Sequence, residues 1–167
     1  NMDSRAEVES CLKKISISGK HLLDLINNVL DMSRIEAGRM SVNRELVSLS
    51  QLAEDIVATM QMQAEAKKQS LTVHTEQLAC AAVYSDSQRL RQVLLNILGN
   101  AVKYTPARGE VSVRMEADEA KDMLRIIVSD SGAGISEEQQ KSLFQPFMHG
   151  YVSQGGMGIG LYVAKMM

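Results

Sequence analysis

The sequence predicts an α+β fold: a two-layer α/β sandwich preceded by a long N-terminal bundle-forming helix. Three observations carry this prediction: a long opening stretch of helical period without proline, short alternating strands interleaved with further helices, and a pair of strands followed by glycine-rich loops. With 167 residues, 45% hydrophobic and 23% charged, the chain has apolar material for one core and an appendage. The expected division is 1–40 for the helical arm and 41–167 for the sandwich.

From Ser4 to about Arg39 the residues Val8, Leu12, Ile15, Gly19, Leu22, Ile26, Val29 and Ser33 recur at alternating spacings of four and three, a heptad seam. Leu23, Leu25, Leu30 and Ile35 widen the apolar face, which suits a helix buried on several sides of a bundle. One helix cannot cover this face alone, so a partner helix is expected. Gly38 is placed to cap the C-terminus.

"MSVNRELVSL" reads as an extended link, and Ser48 to Lys68 resumes helical period through Leu52, Ile56 and Met60. "LTVHTE" and "AAVYS" read as short strands. Asp86 can cap the next helix, which runs to about Thr105 before Pro106. "GEVSVRMEAD" and "DMLRIIVSD" read as paired strands around an acidic turn, and the remainder as loops ending in a nascent helix.

Composition excludes several functions. A net charge of −2, 4% aromatic residues and no Trp argue against nucleic acid as a partner. Cys11 and Cys80 match neither a metal-ligand spacing nor a disulfide framework, which suits reduced thiols in a cytoplasmic protein. No signal peptide is visible in these residues, and apolar runs such as "VLLNIL" fall well short of the roughly 20 residues that span a bilayer. The expectation is a cytoplasmic chain, either free-standing or the cytosolic part of a membrane-bound sensor.

The chemistry lies in "NILGNAV". On a helical wheel Arg89, Gln92, Asn96, Asn100 and Lys103 fall within an arc of about 80°, beside a core side of Leu90, Val93, Leu94, Ile97 and Ala101. A solvated face would favour Glu and Lys over Asn, a poorer helix former. A carboxamide oxygen is a neutral hard ligand, suited to a magnesium ion whose charge phosphates already balance. Lys103 adds a positive charge one turn from Asn100.

Two glycine loops follow. "DSGAGI" sets Asp130 at a strand end, where a buried carboxylate could accept from an adenine amino group, with Gly132 and Gly134 freeing the backbone to turn. "GGMGIGL" sets Gly155, Gly156, Gly158 and Gly160 before a helix, where backbone N–H groups can hold phosphates. The second loop is not a P-loop, because no Gly-Lys-Ser/Thr follows at the required spacing, and it lacks the strand and the acidic ribose partner of a Rossmann fingerprint.

Together "DSQRLRQVLLNILGNAVKYT", "DSGAGI", "LFQPF" and "GGMGIGL" resemble, in order, the N, G1, F and G2 boxes of the sensor histidine kinases, which have the GHKL ATP-binding fold. "GKHLLDLINNVLDMSRIEAG" resembles the second helix of that family's dimerisation and phosphoacceptor hairpin. The resemblance covers nearly the whole chain. It implies ATP and Mg²⁺ as cofactors, with Asn100 on the metal, Asn96 at the metal and phosphate side and Lys103 on phosphate. Tyr104 would flank the adenine, and Asp130 would bind its amino group in a pocket shaped by Gly132, Gly134 and Ile135. Gly156, Gly158, Gly160 and Leu161 would lie by the phosphates at the hinge of a mobile lid.

The implied activity is transfer of the ATP γ-phosphoryl group to a protein histidine, for relay to a response regulator. The implied partners are the acceptor helix of its own or a sister subunit, the receiver domain, and a second copy in a homodimer. Related hydrolytic ATPases carry a Glu where this chain has Asn96; an amide has no useful proton affinity near neutral pH, so it cannot serve as general base. That favours a protein acceptor over water, and assigns catalysis to Asn96 and Lys103 through positioning and charge. The alternatives are a hydrolytic GHKL ATPase and a non-enzymatic, nucleotide-gated dimerisation module.

The chain departs from the pattern at several points. No histidine has the acceptor context: His21 lies in the second-helix segment and His74 alternates outward on a strand. His149 follows Phe147 by two residues, where many members carry a lid Arg, and is a candidate phosphate contact. Met157 replaces the usual Thr or Ser between glycines. The lid from Met148 to Gly155 is short, and the acceptor helix and the closing strands are expected outside the chain.

Overall fold

A computed structural model describes residues 2–75, 82–118, 123–147 and 158–167. The chain divides into two compact units, Asn1–Met40 and Ser41–Met167. The first is the helix α1, Met2–Glu36. Its end is set by Gly38, whose φ of +63° only glycine adopts without strain. The Gly38 N–H donates to the Ile35 carbonyl and the Arg39 N–H to the Arg34 carbonyl, both at 2.9 Å, the paired bonds of a left-handed helix stop. The seam residues Val8, Leu12, Ile15, Leu22, Ile26 and Val29 are all exposed.

In the second unit the order is β1 (Glu45–Ser48), α2 (Leu49–Ala66), β2 (Ser70–His74), β3 (Ala82–Ser85), α3 (Ser87–Tyr104), β4 (Glu110–Asp118), β5 (Met123–Asp130), α4 (Glu137–Ser142) and α5 (Gly160–Met166). Helices and strands are therefore mixed as an α+β fold. β2, β4 and β5 form one sheet, with β4 parallel to β2 and antiparallel to β5. β1 and β3 form a separate antiparallel pair.

Two expectations need correction here, the link and the loop. The link before α2 is not merely extended: Glu45–Ser48 is a strand, stabilised by a partner, β3, that lies far along the sequence. β2 and β3 are neighbours in sequence but belong to different sheets, so local alternation located them without pairing them. α4 replaces part of the expected loop. Ser136 accepts from the Gln139 N–H while the Gln139 side chain accepts from the Ser136 N–H, and this capping box was readable as Ser-x-x-Gln.

The core is one layer of side chains between helices and sheet. Leu49, Leu52, Ile56 and Met60 of α2 and Leu94, Leu98 and Val102 of α3 meet Val111, Val113 and Met115 of β4. Those β4 residues alternate inward with a period of two, leaving Arg114 exposed. The buried face of α3 centres on Leu98 and Val102, at 1% and 2% exposure, whereas the predicted centre lay one position earlier: Leu90, Val93 and Ile97 are only half-buried. The reason is that α3 contacts α2 and β5 and also α5, so cover is shared around the helix. Its polar stripe points opposite the core centre.

Candidate functional site

α3 carries the stripe, and each of its ends is fixed. Asp86 is the N-cap: Oδ1 accepts from the Arg89 N–H at 3.0 Å, and Oδ2 accepts from the Asn43 N–H at 2.9 Å. These bonds, the Arg89 one first, hold the Asp86 carboxyl below the ordinary carboxylate range. Arg91 pairs with Asp55 of α2. Hydrogen bonds from Arg91 and then Gln51 lower the Asp55 pKa, but the pair is exposed and screened.

At the C-terminus the Lys67 ammonium donates to the carbonyls of Val102, Lys103 and Thr105 at 2.8, 2.6 and 3.0 Å. The Gln69 amide nitrogen donates to Val102, Thr105 and Pro106 at 3.0, 2.7 and 3.3 Å. Sequence reasoning missed both residues. They sit in the turn after α2, and nothing in the local pattern says that their side chains end a helix more than thirty residues away.

The two asparagines have different surroundings. The Asn96 amide nitrogen donates to the Gly160 carbonyl at 3.1 Å, and a Cβ on Gly160 would lie 3.2 Å from the Asn96 oxygen. Asn96 thus docks the start of α5 on the stripe. One turn on, Asn100 is half-buried, and among the described residues its amide has no hydrogen-bond partner. Lys103 Nζ lies 4.9 Å from the Tyr104 ring centroid, and Tyr104 is 41% exposed.

The first glycine loop reaches the same helix end. Asp130 Oδ1 accepts from the Gly132 N–H at 2.8 Å. A Cβ on Gly132 would lie 2.7 Å from that oxygen and 3.2 Å from the Tyr104 carbonyl, so glycine is required by close approach. Ser131 adds two bonds that fasten the turn to β4: its N–H donates to the Glu110 carbonyl at 3.0 Å, and its Oγ accepts from the Glu110 N–H at 2.8 Å. Gly134 has φ +76°. Ile135 is exposed, and its carbonyl accepts from the Gln140 amide. Asp130 is exposed rather than buried, because it stands at the sheet's end, beyond the side chains of the core.

The structure thus gathers Tyr104, Asp130 and Gly132 at one end of the stripe and Asn96 and Gly160 at the other, with Asn100 and Lys103 between. Gly158, with φ +67°, and Leu161 frame the entry to α5, whose N-cap residue Ile159 makes no side-chain capping bond. Gly156, His149, Cys80 and the lid from Met148 to Gly155 lie outside the described residues. His74 is half-buried. Among the described residues there is no cluster of acidic, His or Cys side chains that could hold a metal by itself, and no helix long and apolar enough to cross a membrane.

This is the arrangement of an ATP-binding domain: a polar helix wall, an acidic glycine turn at one end and a glycine-entered helix at the other. Residues 85–167 match the family described as "Histidine kinase-, DNA gyrase B-, and HSP90-like ATPase". Among curated proteins, the chain is 41% identical over 90% of its length to the Non-motile and phage-resistance protein of Caulobacter vibrioides. It is 38% identical over 93% of its length to the Circadian input-output histidine kinase CikA of Synechococcus elongatus. It spans 18% and 21% of those two proteins. Among solved structures, full-length ShkA in complex with AMPPNP aligns with a TM-score of 0.76 and 31% identity, over 89% of this chain and 31% of that one. The chain contains the GHKL ATPase domain of the sensor histidine kinases.

Proposed function

We propose that this chain binds Mg-ATP along the α3 stripe and transfers the γ-phosphoryl group to a histidine on a partner helix, for relay to a response regulator. The observation that carries the reading is the Asn100 amide, half-buried and without a partner among the described residues, midway between two anchored ends. The Asn96–Tyr104 segment rises about 12 Å, a length suited to an extended nucleoside triphosphate. The ShkA complex with AMPPNP supports nucleotide occupancy of such a site.

The residues fit a magnesium ion of this kind. A neutral carboxamide, with no cluster of anionic ligands among the described residues, suits a cation that arrives already charge-balanced by phosphates and keeps most of its waters. Asn100 would hold the ion, which when bound offsets charge on the phosphate oxygens. Tyr104 and the Asp130 carboxylate would take the adenine end. Lys103 and the backbone N–H groups entering α5 would take the phosphate end. Asn96 keeps that helix start in place.

In the transfer, the acceptor imidazole nitrogen forms a bond to the γ-phosphorus as the bond to the bridging oxygen breaks and ADP leaves. No side chain on the stripe can remove a proton from water, and Asn96 is committed to Gly160. That favours an imidazole, itself a good nucleophile, over hydrolysis. The exposed seam of α1 supports assembly with a second copy into a helical bundle, and the cytoplasm as the site of action follows from the ATP requirement.

The test is to incubate the chain with an acceptor hairpin bearing the histidine and with γ-labelled ATP. The expected result is labelled hairpin, reduced about 100-fold or more in Asn100→Ala. Undiminished transfer would remove Asn100 from its role. Steady phosphate release without acceptor would favour the hydrolytic alternative.

A further inference from the structure

We propose that Lys67, assisted by Gln69, is a positioning residue for nucleotide binding: it clamps the C-terminal end of α3 so that Tyr104 and the Asp130–Gly132 turn meet in the geometry the adenine end requires. This rests on the ATP site proposed above. It begins from an elementary need, since the last carbonyls of a helix lack partners within it. Exposed helix ends leave these groups to water. Here the Lys67 ammonium spends all three of its donors on Val102, Lys103 and Thr105, and Gln69, 8% exposed, adds a second donor to two of the same carbonyls. A cation at this end also complements the helix dipole.

What makes the clamp more than a cap is the carbonyl it omits. Tyr104 is skipped, and the Tyr104 carbonyl is the one Gly132 packs against, where an added Cβ would lie at 3.2 Å. The last turn of α3 is thereby fixed from two directions, by Lys67 and Gln69 through three neighbouring carbonyls and by the glycine turn through the remaining one. Lys67 is itself anchored: its carbonyl accepts from the Arg108 N–H at 3.1 Å, and the Ser70 N–H donates to the Gly109 carbonyl at 2.9 Å. The starts of β2 and β4 and the end of β5 converge at this point. Removing the ammonium frees the turn carrying Lys103 and Tyr104, while the docking of α5 by Asn96 at the far end of the site stays intact.

The test titrates a ribose-labelled fluorescent ATP, and unlabelled ADP in competition, against the unsubstituted chain, Lys67→Met, Lys67→Arg and Arg91→Ala, with circular dichroism to verify folding. Lys67→Met should raise Kd about tenfold, equally for ATP and ADP because both carry the adenine end. In the transfer assay KM should rise by about the same factor, the mark of lost uniform binding, with any fall in kcat smaller than the rise in KM and arising from Lys103 on the freed turn. Lys67→Arg, which keeps the charge and donors, should recover most of the affinity. Arg91→Ala, which breaks a pair nearer the other end of α3, should leave Kd unchanged. If Lys67→Met does not fold, Gln69→Met should show the same shift, smaller. A folded Lys67→Met with unaltered Kd, or a loss of kcat at constant KM, would overturn the proposal. Failure of the unsubstituted chain to bind nucleotide would instead overturn the ATP site on which the proposal stands.

Discussion

At its N-terminus α3 is held by Asp86, the residue immediately before it; at its C-terminus it is held by Lys67 and Gln69, which lie 35 and 33 positions before Val102. The first device is local, an N-cap that any short peptide of this sequence could form. The second exists only once α2, β2 and β4 have assembled. The difference follows from what each end does. The N-terminal end must only start a helix and tie it to the incoming chain at Asn43. The C-terminal end must present Lys103 and Tyr104 against a loop from elsewhere in the fold, and only contacts distant in sequence can set that register.

Leu98→Ala should break both ends together. Leu98 is 1% exposed at the centre of the helix–sheet core, and truncating it should cost about 2–5 kcal/mol of unfolding free energy by denaturant titration. Gly132→Ala should separate the ends. The new Cβ meets the Asp130 carboxylate and the Tyr104 carbonyl, so about 1–3 kcal/mol of strain should appear mainly as nucleotide affinity lost at the C-terminal end. A stable variant with unaltered affinity would show that the turn does not set the pocket.

Asp86→Ala tests the other end and should cost about 1 kcal/mol of stability, with little change in nucleotide Kd. It also has a pH signature. The folded-state pKa of Asp86 is depressed by backbone donors, Arg89 first and then Asn43, so its contribution is present above the ordinary carboxylate range, about 4. The contribution is lost as pH falls through the lower folded-state value. Thermal unfolding of Asp86→Asn, which keeps an acceptor but not the charge, should depend less on pH in that acid range than the unsubstituted chain. An unchanged acid profile would show that other carboxylates dominate.

Much of this was legible in residues alone. The period of α1, its stop at Gly38, the cap at Asp86, the strands β4 and β5 and the polar stripe on α3 follow from spacing and from local backbone preference. Each is decided by neighbours within a few positions, where sterics and hydrogen bonding act directly. The capping box of α4 was also there to be read in Ser136 and Gln139, but a short helix with no buried residue leaves no apolar period to draw attention to it.

Tertiary structure decided the rest. Whether "RELVS" was link or strand depended on β3, and which strand β2 would join depended on β4. Period alone gave Asn96 and Asn100 equal standing, and the family resemblance implied different roles for them; the approach of Gly160 shows that Asn96 docks a helix while Asn100 has no partner among the described residues. Sequence fixes which groups lie on one face of a helix, because that is a matter of period. Which of those groups remain available depends on what else arrives at that face, and long-range packing alone settles that.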